Sequence, residues 1–298
     1  MKVLVIGKNG QLGFELAKLT PSSVRATFLD SNQLDVADMN SLDEKVSYER
    51  PEVIINCAAY TAVDKAEAEQ YAAYLVNLTG CENLAKVCKK FNCKLIHVST
   101  DFVFSGQKST PYLTTDKPAP TSIYGKSKLA GELAIQRILP TNNLVIRTSG
   151  LYSVHGDNFV KTMLGLFRSK DMLNIVVDQV ASPTWARGFA EVLWQLANSP
   201  EKIDGTLLHW TDAGVASKYD FAVAIQSIAL KYGMLETAIP ISPILGDSFP
   251  TPASRPNYSV LDQGDIETLT GTRRVHWQLQ LERMLVSLKN QTRVKDGK

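Results

Sequence analysis

Two short polar segments carry the residue types that acid–base chemistry needs. Ser99, Thr100 and Asp101 directly follow the apolar run "KLIHV". Tyr124 and Lys128 are four residues apart within "TSIYGKSKLAGE", and on a helix that spacing places both side chains on one face. Because a nearby cation stabilises a phenolate, we expect Lys128 to lower the pKa of Tyr124 and to make it a proton donor near neutral pH. A tyrosine and a lysine with this spacing also occur on solvated helix faces, so the surrounding sequence must show whether the pair is catalytic.

A glycine-rich turn near the start of the chain supplies that context. Gly7, Gly10 and Gly13 separate the apolar run "KVLVI" from a helical pattern. Glycines there let backbone N–H groups approach a pyrophosphate, and the helix N-terminus adds partial positive charge. The G-x-x-G-x-x-G spacing differs from the commoner G-x-G-x-x-G, but a strand before it and a helix after it are the required surroundings. We therefore predict a dinucleotide-binding loop that includes Gln11 and Leu12.

Residues after the next apolar runs complete the predicted cofactor site. Asp30 follows the loop by about twenty residues, where an acid accepts hydrogen bonds from the adenosine ribose and favours NAD(H) over a 2′-phosphate. Its alternative role is that of a turn or capping residue. The other predicted members would line the adenine pocket or leave room for the cofactor, unless they only form tight turns: Asp35, Val36, Ala58, Ala59 and Thr61.

Alternating apolar and helical segments predict the fold that positions these residues. Apolar, β-branched runs indicate strands covered on both faces, at 2–6, 24–29, 52–56, 94–99 and 143–148. Helical patterns lie between them, at 11–19, 39–50, within 69–91 and at 125–139. Such alternation gives parallel pairing through right-handed crossovers. The predicted class is α/β with a doubly wound, Rossmann-like parallel sheet, whose strand ends bring the polar segments to one edge.

The regularity fades after about Tyr152. Prolines punctuate residues 240–256, and we predict short strands such as "LNIVVD" and "GTLLHW" among the loops. Three further helical patterns are present, at 157–169, 187–198 and 217–232. We assign residues 1–150 to an NAD(P)-binding domain and 151–298 mainly to a smaller mixed α/β substrate-binding domain, with some later segments crossing back.

Composition excludes several classes of protein. The chain has 298 residues, 44% of them hydrophobic, which is enough to bury a large core. A formal charge of +2 without a long like-charge block argues against nucleic-acid binding. No apolar segment has the length of a signal or a membrane span, so we expect a cytoplasmic protein. The cysteines lack metal-ligand spacing and are interpreted as core thiols: Cys57, Cys81, Cys88 and Cys93.

Seven segments together carry a family resemblance: "GKNGQLGFEL", "NCAAYTAVDKAEAE", "VSTDFVFSG", "PTSIYGKSKLAGE", "GDNFVKTML", "VDQVASPT" and "FPTPASRPNYSVLD". The chain resembles the extended short-chain dehydrogenase/reductases and, within them, the bacterial dTDP-4-dehydrorhamnose reductases. The resemblance implies reduction of the 4-keto group of dTDP-4-dehydro-β-L-rhamnose by NADPH or NADH, giving dTDP-L-rhamnose for surface polysaccharide such as lipopolysaccharide. It implies a dTDP-sugar as the partner and allows a homodimer.

The resemblance also implies roles for single residues. Tyr124 donates a proton to the ketone oxygen, the Thr100 hydroxyl holds that oxygen, and Lys128 holds the ribose. Asp101 helps to position the sugar, or alternatively caps a loop N–H. Arg255, in "ASRPN", is expected to pair with the substrate pyrophosphate through its fork of donors, unless it is an ordinary surface arginine.

Two positions bear on how far the resemblance extends. Gly150, in "RTSG", stands where such reductases commonly carry tryptophan, which removes an apolar wall beside the expected sugar. Glu15 matches a residue linked to metal-bridged dimers in some relatives, but no partner acids are found, and we predict no metal. The alternatives are another nucleotide-sugar reductase or an epimerase, which retains its NAD, and a non-catalytic regulatory subunit like that of methionine adenosyltransferase. The "PTPASRP" segment argues against the last.

Overall fold

The computed structural model describes residues 1–296, and side chains up to residue 291. Within this range the strands are β1 (Lys2–Ile6), β2 (Arg25–Leu29), β3 (Val53–Asn56), β4 (Lys94–Thr100), β5 (Asn143–Thr148), β6 (Leu151–Tyr152), β7 (Leu173–Val176), β8 (Val180–Ala181), β9 (Thr184–Trp185), β10 (Thr206–His209), β11 (Ala216–Ser217) and β12 (Ile241–Ile244). The α-helices are α1 (Gln11–Lys18), α2 (Met39–Glu49), α3 (Val63–Ala66), α4 (Gln70–Tyr74), α5 (Gly80–Phe91), α6 (Ile123–Ile138), α7 (Phe159–Ser169), α8 (Ala186–Ala197), α9 (Lys218–Lys231), α10 (Gly264–Thr270) and α11 (Trp277–Asp296). A π-helical turn, Leu75–Thr79, joins α4 to α5, and 3₁₀ turns occur at Asp101–Val103, Pro200–Lys202 and Gly246–Ser248.

Six parallel strands form the central sheet, in the order β10, β5, β4, β3, β1, β2. The chain order reverses between β1 and β3, and the carboxyl ends of strands beside such a reversal border a ligand-binding crevice. This arrangement confirms the predicted α/β class, and each of the five predicted strands is present within one residue of its expected bounds. The sixth strand, β10, comes from "GTLLHW" and pairs with β5.

Helices cover both faces of the sheet, which explains why β3 and β5 are buried along their whole length. Helices α1 and α8 lie on one face, where Trp194 Nε1 donates to the carbonyl oxygen of Leu16 at 3.0 Å. Helices α2, α5 and α6 lie on the other. Helix α8 and strand β10 belong to the second half of the sequence but pack with the first half. The domain boundary at residue 150 therefore stays a prediction, and the first domain must also include these two later segments.

The second half has its own apolar cluster, around α7, α9 and α11. Three two-stranded ladders surround it, pairing β7 with β12, β8 with β11 and β6 with β9. Sequence analysis did not predict α10 or α11, although Leu281, Met284 and Leu285 of α11 are fully buried at the spacing of one helix face. No helix in residues 1–296 has the length and apolar character that a membrane crossing requires. The four cysteines are free thiols, three of them buried.

A buried ion pair ties α6 to β5, and its removal is expected to destabilise the fold. Arg147 Nη2 lies 2.6 Å from Glu132 Oε2, and Nε lies 3.0 Å from Oε1. We expect Glu132→Ala to lower the free energy of unfolding by about 3–5 kcal/mol, because it leaves a guanidinium buried without its partner. The control is Glu82→Ala, which breaks a more exposed pair with Arg137 and should cost only about 0–1 kcal/mol. Equal losses in denaturant unfolding would contradict this interpretation.

Candidate active site

The glycine loop between β1 and α1 is shaped by close backbone packing. A β-carbon on Gly13 would lie 2.7 Å from the Lys8 α-carbon, and nearer still to the carbonyl oxygen of Gly7. Gly10 is the N-cap residue of α1 and offers no capping side chain, so the first N–H groups of the helix remain available to a ligand. A pyrophosphate accepts such hydrogen bonds, and the positive end of the helix favours its charge. The loop therefore fits a dinucleotide.

A groove with a volume of about 760 Å³ runs along the carboxyl edge of the sheet from this loop. Its lining contains every residue predicted for cofactor binding or catalysis: Gly7, Gly10, Gln11, Leu12, Gly13, Asp30, Asp35, Val36, Ala58, Ala59, Thr61, Thr100, Asp101, Tyr124 and Lys128. Of the predicted site residues, Arg255 lies elsewhere, in a neighbouring cavity. The structure thus brings the predicted cofactor and catalytic residues together, while the roles of the individual side chains stay predictions.

Asp30 combines the two roles considered from the sequence. One carboxylate oxygen accepts from the backbone N–H groups of Asn32 and Gln33, at 3.0 and 3.2 Å, which is a capping role. The other lies 3.2 Å from Lys8 Nζ and also accepts from Asn9 at 3.2 Å. Asp30 therefore stands at the groove with a cation beside it.

We expect Asp30→Ala to weaken NADH binding by roughly ten- to a hundredfold while weakening NADPH binding much less. Loss of a hydrogen bond from a ribose hydroxyl to a carboxylate removes about 1.5–3 kcal/mol, and the freed Lys8 ammonium can then pair with a 2′-phosphate. Lys8→Ala should show the opposite preference. Dissociation constants for both nucleotides, measured by fluorescence titration, test this; equal losses in the Asp30 variant would contradict the ribose role.

Tyr124 and Thr100 meet at the centre of the groove. Tyr124 lies in the first turn of α6, whose N-cap Ser122 accepts from the Gly125 N–H. The Thr100 hydroxyl lines the same groove and acts to lower the pKa of the phenol, against the larger effect of burial. Phe102 packs edge-on against the ring, with centroids 5.7 Å apart. Both residues line the groove, so a reacting carbonyl oxygen placed there could approach both hydroxyls.

The expectation that Lys128 lowers the pKa of Tyr124 is wrong for this state of the site. Burial raises the pKa of Tyr124 to about 12. Lys128 Nζ points instead into the sheet edge, where it donates to the Val98 carbonyl oxygen at 2.8 Å and lies 3.3 Å from His97 Nε2. Tyr124 is consequently a fully protonated phenol at neutral pH, which still suits it to donate a proton.

Asp101 is a buried acid that links the groove to the second half of the chain. One oxygen accepts from Ser149 and Ser259 at 2.7 and 2.5 Å, and the other accepts from Thr100 at 3.1 Å. Burial raises its pKa, although the three hydroxyl donors oppose that effect. The arrangement holds Thr100 in place beside Tyr124, so Asp101 does more than cap a loop.

A second cavity of about 190 Å³ adjoins the groove at Asp101. Most of its wall is apolar and includes the rings of Tyr152, Phe159 and Phe221. Gly150 contributes to the wall with a φ of +55°, a left-handed conformation in which a tryptophan would be strained. The loop between β5 and β6 therefore favours glycine, and a β-carbon at this position would lie 3.3 Å from both the Pro183 α-carbon and the Ser182 carbonyl oxygen.

Arg255 lies on the polar side of this cavity, but its fork of donors is already engaged. Nη1 and Nη2 donate to the two carboxylate oxygens of Asp64, at 3.0 and 2.7 Å. Lys218 also lines the cavity, and burial lowers its pKa to about 8. The guanidinium is thus neither an ordinary surface group nor free for a pyrophosphate as the sequence suggested.

We expect Arg255→Lys to raise the KM for the sugar nucleotide about tenfold, because a lysine cannot reproduce a bidentate contact with either a carboxylate or a pyrophosphate. Nucleotide cofactor affinity should stay unchanged. Asp64→Asn weakens the pair and frees the guanidinium, which distinguishes a contact with the substrate from a structural contact with Asp64. KM should fall or stay constant if Arg255 contacts the substrate, and KM should rise if the pair itself shapes the site. Steady-state kinetics of both variants make this comparison.

Sequence reasoning missed several groove and cavity residues. Tyr60 lies after β3 and is held by Asn77, whose amide contacts both backbone polar atoms of Tyr60 at 2.9 and 3.1 Å. Ser149 and Ser259 were missed although both bond Asp101, since single serines give no local signal. Glu15, which the sequence analysis had singled out, lines neither space: it is buried in α1 and accepts from Ser153 at 2.6 Å.

Comparison with known proteins agrees with this geometry. The sequence profile of the RmlD substrate binding domain matches residues 1–290. The dTDP-4-dehydrorhamnose reductase of Aggregatibacter actinomycetemcomitans is 38% identical over 286 residues, which cover 94% of this chain and 97% of that protein. The crystal structure of a dTDP-4-dehydrorhamnose reductase from Clostridium acetobutylicum is 36% identical and superimposes with a TM-score of 0.91, covering 97% and 100% of the two chains.

A further solved structure bears on the cofactor. The dTDP-4-dehydrorhamnose reductase of Bacillus anthracis, in complex with NADP, is 33% identical with a TM-score of 0.89 and covers 96% of this chain and 99% of its own. These similarities extend over nearly the whole chain and confirm the resemblance drawn from the motifs. The chain therefore belongs to the dTDP-4-dehydrorhamnose reductase family.

Proposed function

We propose that the chain reduces the 4-keto group of dTDP-4-dehydro-β-L-rhamnose to dTDP-L-rhamnose with NADPH or NADH. The observation that carries the proposal is the meeting of Tyr124, Thr100 and Lys128 in one groove with the glycine loop. Three proteins named dTDP-4-dehydrorhamnose reductase are similar to this chain over nearly their whole length.

The cofactor's place follows from the groove. The α1 N-terminus would hold the pyrophosphate, Asp30 and Lys8 the adenosine ribose, and Asp35 and Val36 the adenine side. When bound, NAD(P)H supplies the hydride that reduces the sugar carbonyl. Lys128, which lines the groove beside the end of β4, would hold the nicotinamide ribose through its remaining donors.

The side chains perform the proton chemistry. Charge develops on the ketone oxygen as the carbonyl is reduced, and Tyr124 transfers its phenolic proton to that oxygen. The Thr100 hydroxyl, fixed by Asp101, keeps the phenol and the ketone oxygen in line. A protonated phenol at neutral pH is the form that this step requires.

The substrate's place is the second cavity. The sugar would lie between Asp101 and the apolar wall, where Gly150 leaves more room than a tryptophan could. Lys218 brings positive charge to the cavity, which suits a pyrophosphate, and Arg255 could add to it if its pair with Asp64 opens. We further propose that the enzyme acts in the cytoplasm and assembles as a homodimer.

Turnover of the purified protein tests the function. Oxidation of NADPH or NADH, followed by absorbance, should require dTDP-4-dehydrorhamnose and yield dTDP-rhamnose. Tightly held NAD that co-purifies and is not consumed would favour an epimerase. Absence of turnover together with a stable methionine adenosyltransferase partner in a pull-down would favour the regulatory-subunit alternative.

A further inference from the structure

A buried hydrogen-bonded chain connects Lys128 of the groove to Asn56 and His97, two residues that have no part in the steps given above. It joins the Asn56 amide, the His97 ring and Lys128 Nζ, and these residues are 2%, 0% and 2% exposed. Asn56 Nδ2 lies 3.0 Å from His97 Nδ1, and His97 Nε2 lies 3.3 Å from Lys128 Nζ. Lys128 therefore lines the groove and also contacts a titratable side chain, His97, in the protein interior.

The Asn56 amide decides which ring nitrogen carries the proton. Its Oδ1 accepts from the Ala58 backbone N–H at 3.1 Å, and because that group can only donate, the orientation of the amide is determined. Nδ2 then faces His97 as a donor, so Nδ1 of the ring must accept. A neutral imidazole has one proton, and that proton consequently lies on Nε2, directed at Lys128.

The ring is neutral, and no other group competes for its proton. Burial lowers the pKa of His97 well below its ordinary value. Cys81 Sγ lies 3.7 Å from Nε2 and 3.9 Å from Nδ1. A sulfur nearly equidistant from both nitrogens lies on the axis of neither N–H bond, so the thiol does not accept the Nε2 proton in a linear hydrogen bond.

The consequence for Lys128 follows from counting donors. An ammonium group has three donors and no acceptor, whereas an amine has a lone pair. Nζ already donates to the Val98 carbonyl oxygen. An N–H from His97 therefore opposes the ammonium form and stabilises the amine.

The other groups that face Lys128 do not offset this effect. Burial raises the pKa of the Cys57 thiol to about 12 and that of the Cys81 thiol to about 11, so both are uncharged at neutral pH. Glu132 is negative, but its charge is paired with Arg147. Tyr124 is a neutral phenol. The largest effect on Lys128 is therefore that of burial, which lowers the pKa of its ammonium group.

We propose that His97 is a positioning residue that favours the amine form of Lys128 in the nucleotide-free groove, so that nucleotide binding draws a proton onto Lys128. The inference rests on the proposed function, which places Lys128 at the nucleotide. The anionic nucleotide favours the ammonium form. The proton comes from solvent, where its bond to oxygen breaks as the N–H bond forms, and it remains on Nζ while the nucleotide is bound. Affinity consequently falls as pH rises.

Calorimetric titration with NADPH tests the proposal, in buffers of different ionisation enthalpy and from about pH 6 to about pH 10. The parent protein should take up a proton on binding, and its affinity should fall by up to about tenfold per pH unit on the alkaline side. His97→Leu removes the opposing donor and should move this fall about one pH unit higher. His209→Leu, at another buried histidine, should keep the parent profile.

A second variant and a spectroscopic measurement keep the test decisive if His97→Leu does not fold. Asn56→Asp offers His97 Nδ1 an acceptor in place of a donor, so the ring proton should move to Nδ1. Nε2 should then accept from the Lys128 ammonium. The loss of NADPH affinity should consequently move to higher pH, as in His97→Leu. Nitrogen-15 NMR of the four histidines should show the His97 proton on Nε2 in the parent. A proton on Nδ1, or NADPH binding without proton uptake, would overturn the proposal.

These measurements use NADPH and no sugar. A protein that shows the expected proton uptake but does not reduce dTDP-4-dehydrorhamnose would refute the proposed function and leave the role of His97 intact. A protein that reduces the sugar but takes up no proton on NADPH binding would support the proposed function and refute the role of His97.

Discussion

Tyr124→Phe is expected to lower kcat by about a hundredfold or more while leaving NADPH affinity within about twofold of the parent, because the variant removes only the general acid. The half-buried Tyr124 lines the groove together with Thr100, and its pKa of about 12 keeps the phenol protonated throughout the neutral range. The ring itself, which packs on Phe102, is retained in the variant. Loss of rate without loss of binding is therefore the signature of the missing proton.

The matched control is Tyr232→Phe, which removes a phenol that bonds Glu282 on the surface. Its kcat should equal that of the parent. The measurements are steady-state turnover with the dTDP-sugar and fluorescence titration with NADPH. A Tyr124 variant with parent-like kcat would remove Tyr124 from the mechanism, whereas equal loss of turnover and of NADPH binding would indicate a structural role.

Gly13→Ala is expected to weaken NADPH binding by at least about tenfold, because a β-carbon there meets backbone rather than a movable side chain. Relief requires the start of α1 to move away from the loop, which displaces the N–H groups that would hold the pyrophosphate. Both NADH and NADPH should be affected, since each carries that pyrophosphate.

Gly165→Ala provides the control, because it lies in α7 with no atom within 4 Å of the added β-carbon. That variant should keep parent affinity and gain up to about 1 kcal/mol of stability from helix propensity. If Gly13→Ala binds both nucleotides as the parent does, the glycine loop is not the pyrophosphate site.

The sequence predicted those parts of the fold whose signals are local. The strands of the first half are long apolar runs followed by glycine or polar residues, so their bounds could be predicted within one residue. The groove followed because parallel strands present their carboxyl ends at one edge. Thr100 and Tyr124 meet there although their elements, β4 and α6, are separated by a long loop.

Features that depend on long-range packing could not be predicted from the sequence. The pKa of Tyr124 depends on its burial and on the direction of Lys128 Nζ, which points to Val98. Arg255 pairs with Asp64, 191 positions away. His97 lies within an apolar strand run and has no local pattern that distinguishes it from a core residue. Strand β10 is only four residues long, so its return to the central sheet was visible only in three dimensions.

Transfer of deuterium from NADPH labelled at the reactive nicotinamide carbon tests the central claim most directly. With dTDP-4-dehydro-β-L-rhamnose as substrate, we expect dTDP-L-rhamnose that carries deuterium at carbon 4, one atom for each NADPH oxidised, by mass spectrometry and NMR. That result requires a groove that holds both cofactor and sugar and a reductive hydride transfer between them. A sugar recovered unreduced, or one changed in configuration without deuterium and without NADPH consumption, would contradict the assignment of this chain as a reductase.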